Sequence, residues 1–465
     1  MTTMSLSSLI RPRKRSVRTS PIGLVVLFLL LCTHSAWADN WPDGTPIDAW
    51  FADTTKVNID QLGKKYVVTD YGVSTNPTIV QTAALQAVID RCHKEGGGVV
   101  VIPAGTFMSG ALFFKGDTHL HLSEGATLKG SDRIADYPVL ETRFEGETCK
   151  YFSAFINADH ADGFTITGTG TIDGNGYRYW QEFWIRRKWN PQCTNKDAQR
   201  PRLVYISNSK NVTVQDVHLM NSPVWTNHIY NCDHVRYLNC FIFAPTSGVK
   251  APSSDALDID KCHDILVHGC YMNVNDDAVV IKGGKGTYAD TMAVNGPVDR
   301  VLVENCHYAT VHSMLTLGSE SLHDSNIIMR NCSSENASRV LWLKMRPDTP
   351  QQYENVRVEG ITGKARSFLV IRPWTQFFKP QNRPDMPKSY CRHITMKNIN
   401  MDCNNFFDVG TSDKYDLTDF TFENIRVNDK KNAFSSDVIP GTVVRKVVIN
   451  DKKYDDTRTS KTKQR

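Results

Sequence analysis

Residues 252–284 read PSSDALDIDKCHDILVHGCYMNVNDDAVVIKGG. At their centre Ile265-Leu266-Val267 is a short strand-like run with Asp264 at its edge. Five further aspartates fall in two groups around it, Asp255, Asp258 and Asp260 before and Asp276 and Asp277 after. Asp255 and Asp276 are 21 residues apart. If one turn of a coiled β-structure has that length, the two side chains stack, because neighbouring strands lie roughly 4.8 Å apart. An acidic cluster on one surface is then expected. Adjacent Asp276 and Asp277 point to opposite faces of a regular strand, so both reach one groove only if the backbone bends there, and a bend is predicted.

The central unit recurs along the chain. Its form is a polar residue, then Asn, Asp, His or Gly, then apolar-x-apolar-x, then Asp, Asn or Gly, then Val, Cys or Ile. It appears at Phe164, Val212, Val235, Ile265, Val301, Ile327, Val356, Ile394, Phe420 and Val447. The intervals run from 23 to 38 residues apart from a first one of 48, which has room for an extra coil or for the Trp- and Arg-rich segment Tyr177–Arg202. One alternating strand per unit at such a period is the signature of a solenoid. The fold expected is all-β, a right-handed parallel β-helix. A sandwich or propeller would need more hairpin turns than Asp173-Gly174-Asn175-Gly176. One clear helix is expected at 78–95, with Asn76 and Pro77 as N-cap and first position and Ile79, Leu85, Val88, Ile89 and Cys92 on one face. It would cover the open N-terminal end of the coil.

The chain has 465 residues, 40% hydrophobic, and a formal charge of +5. Residues 1–38 hold five Lys/Arg and no acid, so the rest carries 49 of each sign. A neutral body gives no case for nucleic-acid or membrane-surface binding. Residues 1–38 read as an export signal: a basic segment, the apolar run Ile22–Cys32, and a small-x-small site at Ala36-Trp37-Ala38. A periplasmic or secreted protein is expected, with residues 39–451 as one β-helix domain, a polar tail over 452–465, and no membrane association once the signal is cleaved. Of 12 cysteines one lies in the signal. The others form no CxxC pairs that suggest zinc; Cys240, Cys270, Cys306 and Cys332 share one repeat position and read as stacked inward thiols, although a Cys240–Cys270 bridge is sterically open.

In stacked coils Asp255 is followed by Asp276-Asp277, then His312, then Lys344, all polar residues that interrupt or end strands and could line one groove. Three carboxylates in a groove repel, so at least one keeps its proton. A protonated acid opposite a carboxylate is what glycoside hydrolysis uses.

These residues carry a resemblance to glycoside hydrolase family 28, the polygalacturonase and rhamnogalacturonan-hydrolase group, over most of residues 66–430. It includes GGGVVVIPAGTFMSGALFFKGDTHLHLSEGATLKGS at 96–131 and GTGTIDGNG at 168–176. The family's Asn-Thr-Asp-Gly-x-Asp motif corresponds to Ser253-Ser254-Asp255-Ala256-Leu257-Asp258, its Asp pair to Asp276-Asp277, its Gly-His-Gly to Val311-His312-Ser313, and its Arg-Ile-Lys to Trp342-Leu343-Lys344. The resemblance implies an inverting hydrolase of pectic polysaccharide or oligosaccharide, monomeric, with no cofactor and no metal. Asp276 would be the general acid. Asp255 and Asp277 would position and deprotonate the water, and His312 would support the acid. Lys344 would bind a galacturonate carboxylate, with Lys282 in the same groove and Arg346 a candidate for the motif arginine that Trp342 replaces. Ser253 and Trp342 depart from the motifs among substrate contacts, which suits an exo-acting galacturonidase or an enzyme cutting galacturonate–rhamnose linkages as well as an endo-polygalacturonase. A Ca²⁺-dependent polysaccharide lyase and a non-catalytic carbohydrate-binding solenoid are the competing readings.

Overall fold

The computed structural model describes residues 39–376, 380–431 and 434–455. The expected signal, residues 377–379, residues 432–433 and residues 456–465 lie outside them. Thirty strands join one continuous sheet system whose pairings are parallel, save for a closing hairpin between Val443–Ile449 and Lys452–Tyr454. The expected tail therefore begins with a paired strand. The architecture is a right-handed parallel β-helix with three strand faces per coil. Among the described residues no helix is long and apolar enough to cross a membrane.

The repeat unit is the strand of the first sheet. Val212 lies opposite Val235, Val235 opposite Ile265, Ile265 opposite Val301, Val301 opposite Ile327, Ile327 opposite Val356, Val356 opposite Ile394, and Ile394 opposite Phe420. The last anchor departs: Val447 pairs with Ile425, five residues beyond Phe420. The residue before each anchor from Val212 onward sits in the left-handed region, with φ from 51° to 59° at Asn211, His234, Asp264, Arg300, Asn326, Asn355, His393, Asp419 and Lys446. Asn, Asp and His tolerate that region better than other side chains, which is why the repeat carries them there. Strand ends use the same device at Asn239, Asn305 and Asn331 and at Gly269 and Gly360. The anchors point inward and are buried, as are Cys240, Cys270, Cys306 and Cys332. All eleven cysteines among the described residues are unpaired; Cys240 donates to the Val214 carbonyl at 3.4 Å instead of bridging to Cys270.

The expected helix is shorter than 78–95. Helix α1 spans Thr82–Lys94, capped by Gln81, with Leu85, Val88, Ile89 and Cys92 buried and Ile79 exposed. Val80 bridges to Met108, and the Gln81 amide donates to the Met108 carbonyl at 2.9 Å, so the chain is still tied to the first coil and turns helical only after it. Asn76 caps a preceding turn at Thr78 instead. A second helix, α2 (Tyr177–Trp189), was not anticipated, because its aromatic and charged residues show little helical periodicity; it buries Tyr179, Trp180 and Phe183. It fills the 48-residue interval, for Thr165–Gly168 pairs directly with Lys210–Gln215 and no extra coil intervenes. An antiparallel hairpin, Val139–Phe144 with Glu147–Phe152, stands apart from the coil. Helix α2 and the turn of this hairpin both lend side chains to one acid-lined pocket on the coil.

Candidate active site

The third sheet carries the acids. Its strands Leu257–Asp260, Val279–Lys282 and Leu315–Leu317 and the end of Ser333–Met345 turn Leu257, Ile259, Val279, Ile281, Leu315, Leu317, Leu341 and Leu343 inward. Leu257 faces Val279, Val279 faces Leu315, and Leu315 faces Leu341. Two residues before each lies one column: Asp255, Asp277, Ser313, Arg339. Backbone bonds hold this register through the corner, from Ala256 N to Asp277 O (3.1 Å), Ala278 N to Ser313 O (2.8 Å) and Met314 N to Arg339 O (3.0 Å). The coil is thus 22 residues here, and Asp255 stacks on Asp277, not on Asp276. Asp276 is one place earlier and is followed by His312, whose amide donates to the Asp276 carbonyl at 2.9 Å. The chain bends at 275–276 as anticipated, and the Asp277 amide donates to Asp276 Oδ1 at 3.0 Å. The bend brings one oxygen from each of Asp255, Asp276 and Asp277 within 4.8 Å of one another.

The three carboxyls differ in surroundings. Burial, then the charges of Asp276 and Asp258, push Asp255 well above the usual carboxylate range. Burial also works on Asp276, but the hydrogen bond and charge of His312 and the charge of Lys344 hold it below its ordinary value. His312 Nδ1 lies 3.4 Å from Asp276 Oδ1, and that hydrogen bond raises the imidazole's pKa against burial. Asp277 is buried, accepts Lys344 Nζ at 2.7 Å through Oδ2, and has no protein hydrogen bond at Oδ1. These surroundings favour the protonated form of Asp255 and the charged forms of Asp276 and His312. The trio is tight enough to ligate a cation, but the Lys344 ammonium already supplies a positive charge beside it.

The other expected residues are present but engaged. Lys282 Nζ lies 2.9 Å from Glu320 Oε2 and 3.5 Å from Asp258 Oδ1, and the same ammonium sits over the Trp225 ring. Its charge offsets only part of the burial that raises Asp258 to about 8. Arg346 gives Nε and Nη2 to Asp348, each at 2.8 Å. Asp260, in the opening group of aspartates, lies away from the cluster. It anchors the hairpin, accepting Arg143 Nε at 2.9 Å while Arg143 Nη1 reaches Asn295 at 2.7 Å. Burial works against it, but Arg143 and His228 bring Asp260 down to about 2.

That anchored hairpin and α2 build the walls. At the hairpin tip Gly146 (φ +72°) lies so close to Glu320 that an added Cβ would meet the glutamate Cβ at 2.7 Å. The resulting pocket, of about 270 Å³, is lined by Asp255, Asp276, His312, Lys282, Lys344 and Arg346, by Glu145 of the hairpin, by Phe183, Trp184 and Arg187 of α2, and by Trp374 and Gln376. Trp374 packs edge-on to Trp342 at 5.3 Å, with Lys344 Nζ over both rings. The wall residues escaped the sequence reading, for which only the 48-residue interval with its Trp- and Arg-rich segment gave a sign. Arg339 was legible by counting two residues back from Leu341, once the register was known.

A family model described as glycosyl hydrolases, family 28, matches residues 92–444. An exo-poly-α-D-galacturonosidase of Dickeya chrysanthemi is 33% identical over 341 residues, covering 63% of this chain and 54% of the relative. A probable polygalacturonase of Vitis vinifera is 26% identical over 261 residues, covering 54% and 50%. The chain thus spans about half the length of these relatives. The fold matches the family 28 exopolygalacturonase of Yersinia enterocolitica (TM-score 0.66, 19% identity, 83% of this chain and 78% of that one) and a hyperthermoactive exopolygalacturonase of Thermotoga maritima (0.63, 20%, 84% and 93%).

Proposed function

The chain belongs to glycosyl hydrolases family 28, and on that footing we propose that it hydrolyses galacturonate-containing pectic polysaccharide or oligosaccharide. The observation that carries this reading is the convergence of Asp255, Asp276 and the buried Asp277 at a pocket lined by Asp255, Asp276, His312 and Lys344.

In the reaction Asp276 delivers a proton to the glycosidic oxygen as the bond to the anomeric carbon breaks. A bound galacturonate adds negative charge and displaces water, and both raise the Asp276 pKa, so its carboxylate takes the proton that His312 holds against it. Water attacks the anomeric carbon from the other face and gives its proton to Asp277, whose Oδ1 is buried but has no hydrogen-bond partner among the described residues. Asp255 holds the water, and Lys344 fixes Asp277. A spacing under 4.8 Å is nearer the roughly 5–5.5 Å of retaining enzymes than the roughly 6.5–9.5 Å of inverting ones. That rule is built on two carboxyls. With three, one pair can hold the water while the third serves as acid, so inversion is the outcome we propose.

Helix α2 and Trp374 stand on the rim of the pocket, and walls of that kind favour cleavage at a chain end. The leader-like residues 1–38 support export to the periplasm or beyond, and we extend the proposal to a monomer acting there.

Incubation with polygalacturonan and with rhamnogalacturonan oligosaccharides, with the first products identified by mass and anomeric form, tests this. Saturated mono- or disaccharide with inverted configuration is expected. An unsaturated product lost on chelation would establish the lyase instead, and no cleavage of either substrate would overturn the hydrolase reading.

A further inference from the structure

Each cation that the sequence offers for the sugar carboxylate is already paired: Lys344 with Asp277, Lys282 with Glu320 and Asp258, Arg346 with Asp348. We propose that Arg339 is the residue that recognises the acidic sugar bound next to the aspartates, a specificity role that rests on the hydrolase reading above.

Arg339 occupies the fourth rung of the column that begins with Asp255 and Asp277, and Ser313 is the rung between. Two rungs amount to about 10 Å, about one sugar unit along the groove. Ser313 itself is fully buried, its Oγ donating to Leu315 O at 2.9 Å, so the sugar lies over the neighbouring His312, which lines the pocket. The guanidinium carbon lies 3.7 Å over the Trp342 ring, and Nη1 donates to the His312 carbonyl at 3.5 Å. Trp342 thus replaces the motif arginine in the chain while serving as the platform for another one three residues earlier. Among the described residues no carboxylate pairs with Arg339. Burial weighs most against its charge, and the charges of Asp277, Asp276 and Asp408, opposed by that of Arg366, do not make up the difference. A carboxylate entering the groove would relieve that imbalance. A guanidinium seated over an indole ring can still offer two N–H groups for a bidentate, charge-assisted bond to a carboxylate, which a lysine cannot reproduce.

The test uses the full-length protein. Binding of a galacturonate trisaccharide to Asp276→Asn and to the double variant with Arg339→Ala is measured by calorimetry, alongside steady-state kinetics of Arg339→Ala and Arg339→Lys. Loss of a charge-assisted pair predicts about 10–100-fold weaker binding, a matching rise in KM with little change in kcat, and only partial recovery in Arg339→Lys. A carboxyl-reduced trisaccharide should bind equally to both proteins. Unchanged affinity for the acidic sugar, or an equal loss for the reduced one, overturns the role of Arg339 and leaves the hydrolase reading intact. If the parent protein neither binds nor cuts any galacturonate oligosaccharide, the functional reading itself falls and takes this inference with it.

Discussion

Two columns of residues run up the same coil at the same spacing. In the first sheet the inward column is Val235, Ile265, Val301, Ile327, Val356 and Ile394, all fully buried. At the corner of the third sheet the column is Asp255, Asp277, Ser313 and Arg339. The first stacks like on like, and every rung gains from its neighbours by burying apolar surface. The second places an acid upon an acid and ends on a guanidinium that no carboxylate pairs among the described residues, and burial drives Asp255 away from its charged form. The coil supplies one geometry to both. The contrast shows that a rung position is not intrinsically structural or chemical; the residue types placed there decide, and the second column carries a cost to folding that the first does not.

The largest effect expected from breaking this contrast is on turnover. Asp276→Asn removes the proposed acid while keeping the shape and the backbone bonds at the bend. A fall in kcat of about 10²–10⁴-fold is expected, the usual contribution of a positioned acid, with a thermal midpoint close to the parent's. Full activity in this variant would move the acid role elsewhere, with Asp255 the first alternative.

The two columns were not equally legible. The first could be read directly, because hydrophobic alternation and the Asn, Asp or His required at φ > 0 both leave marks in the sequence. The only anchor that failed to align, Val447, belongs to the last coil, where the closing hairpin shifts the register. The second could be read in composition but not in register. A spacing of 21 suggested Asp255 over Asp276, whereas the backbone bonds set 22 and put Asp255 over Asp277. The corner between sheets has no periodicity to count, so one residue of slip is invisible there. Lys282 and Lys344 were found but their partners were not, since Glu320 and Asp277 reach them only through the fold; Asp348 lies two residues from Arg346, but nothing in the sequence says that its side chain turns back to the guanidinium. The walls built by α2 and the hairpin were lost for the same reason.

The apolar column gives the converse experiment. Ile265→Ala leaves a cavity at a fully buried rung and should cost about 2–5 kcal/mol. The variant's activity per folded molecule should match the parent's, read as kcat at a temperature where both are folded. A proportionate loss of kcat would mean that the first sheet positions the acids more directly than its place on another face suggests.

The smallest effect is the most telling, because its sign is unusual. The raised pKa of Asp255 means that the folded protein binds a proton that the unfolded chain releases near pH 3.9. By linkage, stability then falls as pH rises from about 3.9 through the folded-state value. Asp255→Asn removes that term at nearly constant volume. It should abolish turnover and yet raise stability at neutral pH, by about 0.5–2 kcal/mol, the gain common for a single stabilising substitution. The gain should vanish below about pH 3.9, where the parent's carboxyl is protonated in both states. Denaturant titrations of the two proteins at about pH 3 and pH 7, either side of that value, read this directly. A variant less stable than its parent at neutral pH would show that Asp255 is a satisfied structural carboxylate, and the second column would then differ from the first in composition only.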